Sequence, residues 1–327
     1  MEVRFSLDGL ILHCQPNGRG RKRDLQIYVN KDGTLQEVAG KPYKLEVDLK
    51  KLFEANLDKL LGLMLVKSEF TIKNGRIDTL AFDPQSKAFI IIEYKRDKNY
   101  SVVDQGFMYL SLMLENKADF VIEYNERKKC SMKRDEVDWT QSRVLFVGPS
   151  FTDYQTQATN FKDLPIELWE VGQYANNIVV VKQIGKSKSA PSFKGAVAGS
   201  EAIKKVAEQV KVTTEEDHTK YAGKATSELY EKFKSGILNL GDGIEVKPQK
   251  MYIAFKKKRN IVDMELQKHS LKMWLNAPFG SINDAKGLAK NVANTGHWGN
   301  GDYEIRVTDD AELEYILSLV KQVLAKQ

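Results

Sequence analysis

The chain has 327 residues, a length that suits two domains better than one. With 42% hydrophobic and 29% charged residues its composition is that of an ordinary globular protein, no apolar run nears the ~20 residues a spanning helix needs, and the start, MEVRFSLDGLILH, is unlike a signal peptide. Two distant cysteines, no CxxC pair and four scattered histidines argue against a structural zinc site or a disulfide framework and point to the cytoplasm, while a net charge of +6 permits a nucleic-acid partner without requiring one.

The first 40 residues read as short strands and turns. "QPNGRGRKRD" is a basic loop, and "IYVNKDGTLQEV" is a hairpin turning at Lys-Asp-Gly. In "EVDLKKLFEANLDKLLGLML" the residues Leu49, Leu52, Phe53, Leu57, Leu60, Leu61 and Met64 keep helical spacing, which predicts one amphipathic helix. Two strands follow, in "NGRIDTLAFDPQSKAFIIIEYKRDKN" (74–99). "SVVDQGFMYLSLMLENK" predicts a second helix, capped by Ser101 with Asp104 three residues on. Three or four further strands are expected, from candidates at 119–124 ("DFVIEY"), 142–148, 166–171 and 177–184. This pattern is a mixed α/β domain over residues 1–184, with helices against a central sheet.

Residues 185–217 are rich in Lys, Ser, Ala and Gly and read as a linker, with a short helix near 200–210. Residues 218–327 read as a smaller α+β domain. It begins with a helix, continues through strands in "IEVKPQKMYIAFKKKRNIVDMELQ" and "SLKMWLNA", then another helix, the turn "GHWGNGD", the strand "YEIRV" and a terminal helix.

The chemistry-bearing residues lie in the hairpin at 74–99. If Asp83 pairs with Ala88 across "PQSK", then Asp78 falls opposite Glu93, with Cβ atoms about 5 Å apart on one face. Lys95, two residues on, shares that face. Two carboxylates so placed do not both ionise without a cation. A lysine helps, and Mg²⁺ or Mn²⁺ neutralises the pair better, since such ions are held by one or two carboxylates plus water and phosphate oxygens. That is the chemistry of phosphodiester hydrolysis, in which a lysine positions the water and stabilises developing charge. Acids at strand ends ordinarily form a solvated rim, but Glu93 follows the continuous apolar run Phe89-Ile90-Ile91-Ile92 of a buried strand. Gln105 and Tyr109 lie on one face of the second helix, where they can serve phosphate or Lys95. Taken alone, Tyr109 is better read as core beside Leu112 and Met113. Glu54 flanks the first helix and can face the same end, with Glu69 as a competitor.

The order "GRID", "IIEYKR", "DQGFMYL" resembles the PD-(D/E)xK phosphodiesterase superfamily over roughly residues 45–125, nearest to NucS-like endonucleases, and Gln105 with Tyr109 matches the QxxxY helix of RecB-like members. The resemblance implies a restriction-endonuclease-like mixed sheet flanked by helices. It also implies Mg²⁺ or Mn²⁺ bound by Asp78 and Glu93, with the Tyr94 carbonyl and Glu54 as further ligands, and Lys95 assisting the water. Ile77 stands where the motif's name has proline.

Basic segments at 19–23, 126–134 and 256–259 suit a phosphate backbone, although each singly reads as a solvated loop. In "NTGHWGNGDYEIRV" Trp298 is expected to cover the core from a glycine-supported turn, with base stacking as the alternative. The region from Tyr221 onward resembles an uncharacterised domain found after nuclease-like domains, and no catalytic residue is assigned there. The sequence thus points to a metal-dependent endonuclease acting on DNA. The alternative is a non-catalytic nucleic-acid-binding or regulatory protein that keeps the fold. DNA is the expected partner, no membrane is, and a homo-oligomer stays open.

Overall fold

The computed structural model describes residues 6–7, 10–13, 26–43, 45–73, 75–95, 101–187, 189–193, 201–210 and 212–327. The basic run at 19–23 lies outside them. Strands β1 (Ser6–Leu7), β2 (Leu10–His13), β3 (Gln26–Lys31) and β4 (Thr34–Glu37) form an antiparallel sheet in sequential order, and β3 and β4 make the expected hairpin around Asp32-Gly33.

After the short β5 (Gly40–Lys41) the predicted first helix comes as two, α1 (Glu46–Glu54) and α2 (Leu57–Leu61). The break falls at Asn56, whose side chain donates to the Leu52 carbonyl at 2.8 Å, a local bond that competes with the helix. Met64, expected to be helical, instead opens β6 (Met64–Ile72), which pairs antiparallel with β7 (Gly75–Asp83), itself paired with β8 (Ala88–Tyr94). Every residue of β8 is buried, as its continuous apolar run requires.

α3 (Val102–Glu115) begins at the Ser101 cap, where Oγ accepts from the Asp104 amide at 3.3 Å. Residues 119–124 are not a strand but the middle of α4 (Lys117–Lys128). Phe120, Val121 and Tyr124 turn to the core while Ile122 stays 53% exposed, a helical face rather than an alternation. The chain then returns through β9 (Arg143–Gly148), α5 (Asp153–Ala158), β10 (Ile166–Tyr174) and β11 (Val179–Gln183). The resulting sheet runs β6-β7-β8-β9-β10-β11, with β5 beside β10. β8, β9 and β10 are mutually parallel and the other pairs antiparallel, so the fold is the expected mixed α/β sheet with helices on both faces. α1 and α2 pack over Ala81, Ile90 and Ile92 on one face. α3 and α4 pack over Leu80, Phe89 and Ile91 on the other.

Two parts of the expected linker pack against the first domain. Phe193 stacks on Phe107 at 5.2 Å, and α6 (Glu201–Gln209) sets Val206 into the same core. Beyond α7 (Glu215–Thr219) and α8 (Lys224–Leu238) stands a separate sheet of β12 (Glu245–Pro248), β13 (Ile253–Lys256), β14 (Asn260–Leu266), β15 (Leu271–Leu275), β16 (Lys290–Asn291) and β17 (Tyr303–Val307). Its order is β12-β13-β14-β15-β17-β16, and α8 and the terminal α9 (Leu313–Leu324) share its core. The helix expected after β15 is absent. Pro278 and the Asp284 carboxylate, which accepts the Ala289 amide at 2.8 Å, hold that stretch in turns. Trp298 is 61% exposed and does not cover the core; its neighbour His297 does the stacking, 5.8 Å from Trp274. Among the described residues no helix is long and apolar enough to cross a membrane.

Candidate functional site

The β7–β8 ladder pairs Asp83 with Ala88 and Thr79 with Ile92, which is the register inferred from the turn length. Continued by one residue it sets Asp78 against Glu93. Beyond the ladder the Tyr94 amide donates to Asp78 Oδ2 at 3.1 Å, so the aspartate carboxylate takes the place of a strand carbonyl.

Glu93 is 7% exposed at the exit of the most buried strand. Its Oε1 accepts from Lys95 Nζ at 3.2 Å and from Gln105 Nε2 at 3.0 Å. Its Oε2 is buried and makes no well-formed hydrogen bond, although the Tyr109 hydroxyl lies near enough to help stabilise the charged carboxylate. Burial, and then the Asp78 charge, push the Glu93 carboxyl up, with Lys95 and the Tyr109 hydroxyl opposing. The α3 face assembles as its spacing predicts. Gln105 Nε2 also lies 3.3 Å from the Tyr109 hydroxyl, which donates to the Arg76 carbonyl at 3.3 Å. Burial pushes the Tyr109 and Tyr94 hydroxyls up, so both stay protonated. Tyr109 sets its ring in the core, as one of its two readings expects, and its hydroxyl beside Gln105 at the edge of the cluster.

Two close approaches hold this geometry. Gly106 lets α3 lie on β10, since a Cβ there would come 2.5 Å from Ile166 Cδ1. Gly148 lets β9 pass the backbone of Lys95, whose carbonyl would meet a Cβ at 2.5 Å, while the Lys95 amide donates to Val147 at 2.8 Å.

Glu54 is placed differently from Asp78 and Glu93. Its carboxylate accepts from the Thr79 hydroxyl, which points to the α1 side of the sheet and lies 3.4 Å from the Tyr94 hydroxyl. Thr79 is a contact that the sequence reading missed, and only its place next to Asp78 signals it. Glu69 pairs with Lys50 and, at 3.0 Å, with Arg76. Among the described residues no three acidic, histidine or cysteine side chains gather as a metal cage. The site is a pair of carboxylates with a lysine, a glutamine and a tyrosine. A divalent cation fits that pair on one observation, a Glu93 oxygen with no well-formed hydrogen bond beside a second carboxylate.

Residues 215–323 match the family described as Domain of unknown function (DUF5655). Among solved structures, the Pyrococcus furiosus SfsA in complex with Ca²⁺ is similar at 14% identity and a TM-score of 0.26, over 57% of this chain and 98% of that one. A repair endonuclease from Pyrococcus abyssi is similar at 17% identity and a TM-score of 0.20, over 46% of this chain and 69% of that one. An EndoMS–dsDNA complex gives 17% and 0.20, over 45% and 66%. Likenesses this low say nothing of activity. An uncharacterized protein of Haemophilus influenzae is 54% identical over 300 residues, covering 92% of this chain and 99% of that protein. The chain therefore belongs to the family of that Haemophilus influenzae protein.

Proposed function

We propose that the chain is a metal-dependent phosphodiesterase of the PD-(D/E)xK type acting on DNA. The observation that carries this reading is Glu93 Oε2, a buried carboxylate oxygen with no well-formed hydrogen bond, one step beyond the β7–β8 ladder where its continued register meets Asp78. A buried acid with a spare oxygen costs stability unless something positive answers it. Asp78 and Glu93 would hold Mg²⁺ or Mn²⁺, with the Tyr94 carbonyl beside them, and Glu54 would act at one remove through Thr79. When bound, the ion supplies the charge that lets both carboxylates ionise and that polarises a phosphodiester.

The remaining roles belong to side chains already in place. Lys95 orients the attacking water and stabilises charge developing on phosphate. Gln105 holds Glu93 Oε1, which leaves Oε2 to face the ligand. Tyr109 fixes Gln105 and ties it to the Arg76 carbonyl at the start of β7.

Mn²⁺ is expected to raise the melting temperature of the wild type and not of Asp78→Ala. Nicking of supercoiled plasmid and cleavage of single strands are expected to fall by about 100-fold or more in Glu93→Ala, the scale of losing one preorganised electrostatic group. An equal Mn²⁺ shift in both proteins removes the metal site. Equal cleavage by wild type and Glu93→Ala removes the catalytic assignment and leaves a binding protein with a nuclease-like sheet.

A further inference from the structure

A second polar site lies at the far end of the same sheet. Asp83 closes β7 whereas Asp78 sits near its start, so the two are roughly 15 Å apart along an extended strand. Between the Asp83 end and the C-terminal sheet is a cleft of about 620 Å³, within the range of about 300–1,000 Å³ typical of small-molecule sites. Its walls include Leu61, Leu164 and Trp169, and its polar lining comes from both parts of the chain, with Arg143 and Lys186 from one side and Lys247 and Lys256 from the other.

The cations outnumber the acids that answer them. Asp83 Oδ2 lies 3.3 Å from Arg143 Nη2, and Glu167 Oε1 lies 3.2 Å from Arg143 Nε, so the buried Asp83 and the half-buried Glu167 are engaged by one guanidinium. Lys247 has the exposed Glu245 at 3.5 Å. Among the described residues neither Lys186 nor Lys256 lies within ion-pair distance of a carboxylate, and Lys186 Nζ donates instead to the Leu164 carbonyl. Burial, with Lys247 adding to it, lowers Lys186 to about 8, against the pull of Glu167 and Asp163. Burial likewise lowers Lys256, with Arg143 and Lys247 adding to it against Asp83 and Glu167. Four polar atoms in the lining are also buried without a well-formed hydrogen bond: Ser86 Oγ, Ser142 Oγ (on a residue 1% exposed), Arg143 Nε and Gln249 Oε1.

We propose that this cleft binds a small phosphorylated molecule of nucleotide size. Lys186, Lys256 and the Ser142 hydroxyl take the phosphate, and Gln249 accepts a ligand hydroxyl. Phosphate fits because half-buried cations in excess, with a hydroxyl donor among them, need a compact multivalent anion. The small molecule is favoured over a nucleic-acid strand because Arg143, Lys186, Lys247 and Lys256 are partly buried between the two sheets, and only Lys162, Lys257 and Lys258 at the rim are exposed. The site shares no side chain with Asp78, Glu93 or Lys95, so it stands independently of the phosphodiesterase reading.

The test uses the full chain in EDTA at fixed ionic strength, with ADP and inorganic pyrophosphate as probes and calorimetry as the readout. Expected are saturable binding by the wild type and a loss of about tenfold or more in affinity in the Lys186→Gln, Lys256→Gln double variant, the scale of charge-assisted contacts. Binding by Glu93→Ala is expected to be unchanged, and its loss there would move the ligand to the other end of the sheet and overturn the proposal. No binding of either probe by the wild type, or equal binding by the double variant, also overturns it. Displacement of ADP by duplex DNA overturns the small-molecule assignment. If the double variant does not fold, each single variant and the slowing of amide exchange at 142–145 and 254–257 by ADP in the wild type decide the matter. Slowing there supports the cleft, and slowing elsewhere alone rejects it.

Discussion

Glu93 has conflicting requirements. It is buried, it faces the charge of Asp78, and one of its oxygens makes no well-formed hydrogen bond. Its carboxyl is raised above the ordinary value of 4.5, so the folded chain holds that proton more tightly than the unfolded chain. The corresponding stability is fully present below 4.5 and is lost as pH rises through the raised value. Above the raised value the ionised side chain therefore works against the metal-free fold. Glu93→Gln keeps the shape and an Oε1 acceptor for Lys95 and Gln105 but cannot ionise. Without metal it is expected to melt about 2–4 °C higher than wild type, the equivalent of about 1 kcal/mol, and to lose the Mn²⁺ shift. Scanning calorimetry with and without Mn²⁺ checks both halves. A metal-free melting temperature at or below wild type would mean that Glu93 is already satisfied. A gain in stability with loss of function is what a preorganised charge site predicts.

At the level of elements, the site depends on how closely α3 lies on the sheet. Gly106 faces Ile166 and Phe146, and a Cβ there would overlap Ile166 at 2.5 Å. Gly106→Ala is expected to cost about 1–3 kcal/mol as overpacking. It should also lift the turn of α3 that carries Gln105 and Tyr109. Cleavage should then fall more than the Mn²⁺ shift does, because Asp78 and Glu93 sit on strands that do not move with the helix. Equal loss of both would show that the helix supports the carboxylates rather than the substrate side. This helix and its hairpin were legible because their signals are local. A four-residue turn and one continuous apolar run fix the register, and Ser101 fixes the helix start. α4 was misread because "DFVIEY" is short, and its face appears only once Phe120 meets Phe70 and Phe89. Of the cleft only Lys256 was legible, as the first residue of the basic segment 256–259. Arg143, Lys186 and Lys256 come from distant segments, and each alone resembles an ordinary surface charge.

Across the whole molecule the two sheets meet through a buried polar chain. The Tyr252 hydroxyl donates to the Gln85 carbonyl at 3.1 Å, in the β7–β8 turn, and accepts from Asn300 Nδ2 at 3.0 Å. Asn300 in turn donates its amide and its Nδ2 to Asp263 Oδ2, at 2.6 and 2.8 Å, while Asn260 donates to Oδ1 at 2.8 Å. Asp263 is fully buried, and burial pushes its carboxyl up to about 7, outweighing the Asn300 and Asn260 bonds and the charge of Lys256. The stability this group contributes is complete below its unfolded value of 3.8 and is lost as pH rises through about 7. Asp263→Asn cannot titrate. It is expected to melt lower than wild type in mild acid, because three donors then face a single acceptor oxygen, and the gap should narrow as pH approaches and passes 7. Tyr252→Phe breaks the link to Gln85 but keeps Asp263, so its gap from wild type should stay constant over the same range. Melting curves of the three proteins between pH 5 and 8 separate the cases. A gap that stays constant for Asp263→Asn would mean that the carboxylate remains ionised throughout, with the asparagine donors outweighing burial. A gap that narrows for Asp263→Asn alone places the titration on Asp263, beside the contact that joins the two sheets and next to the cleft they enclose.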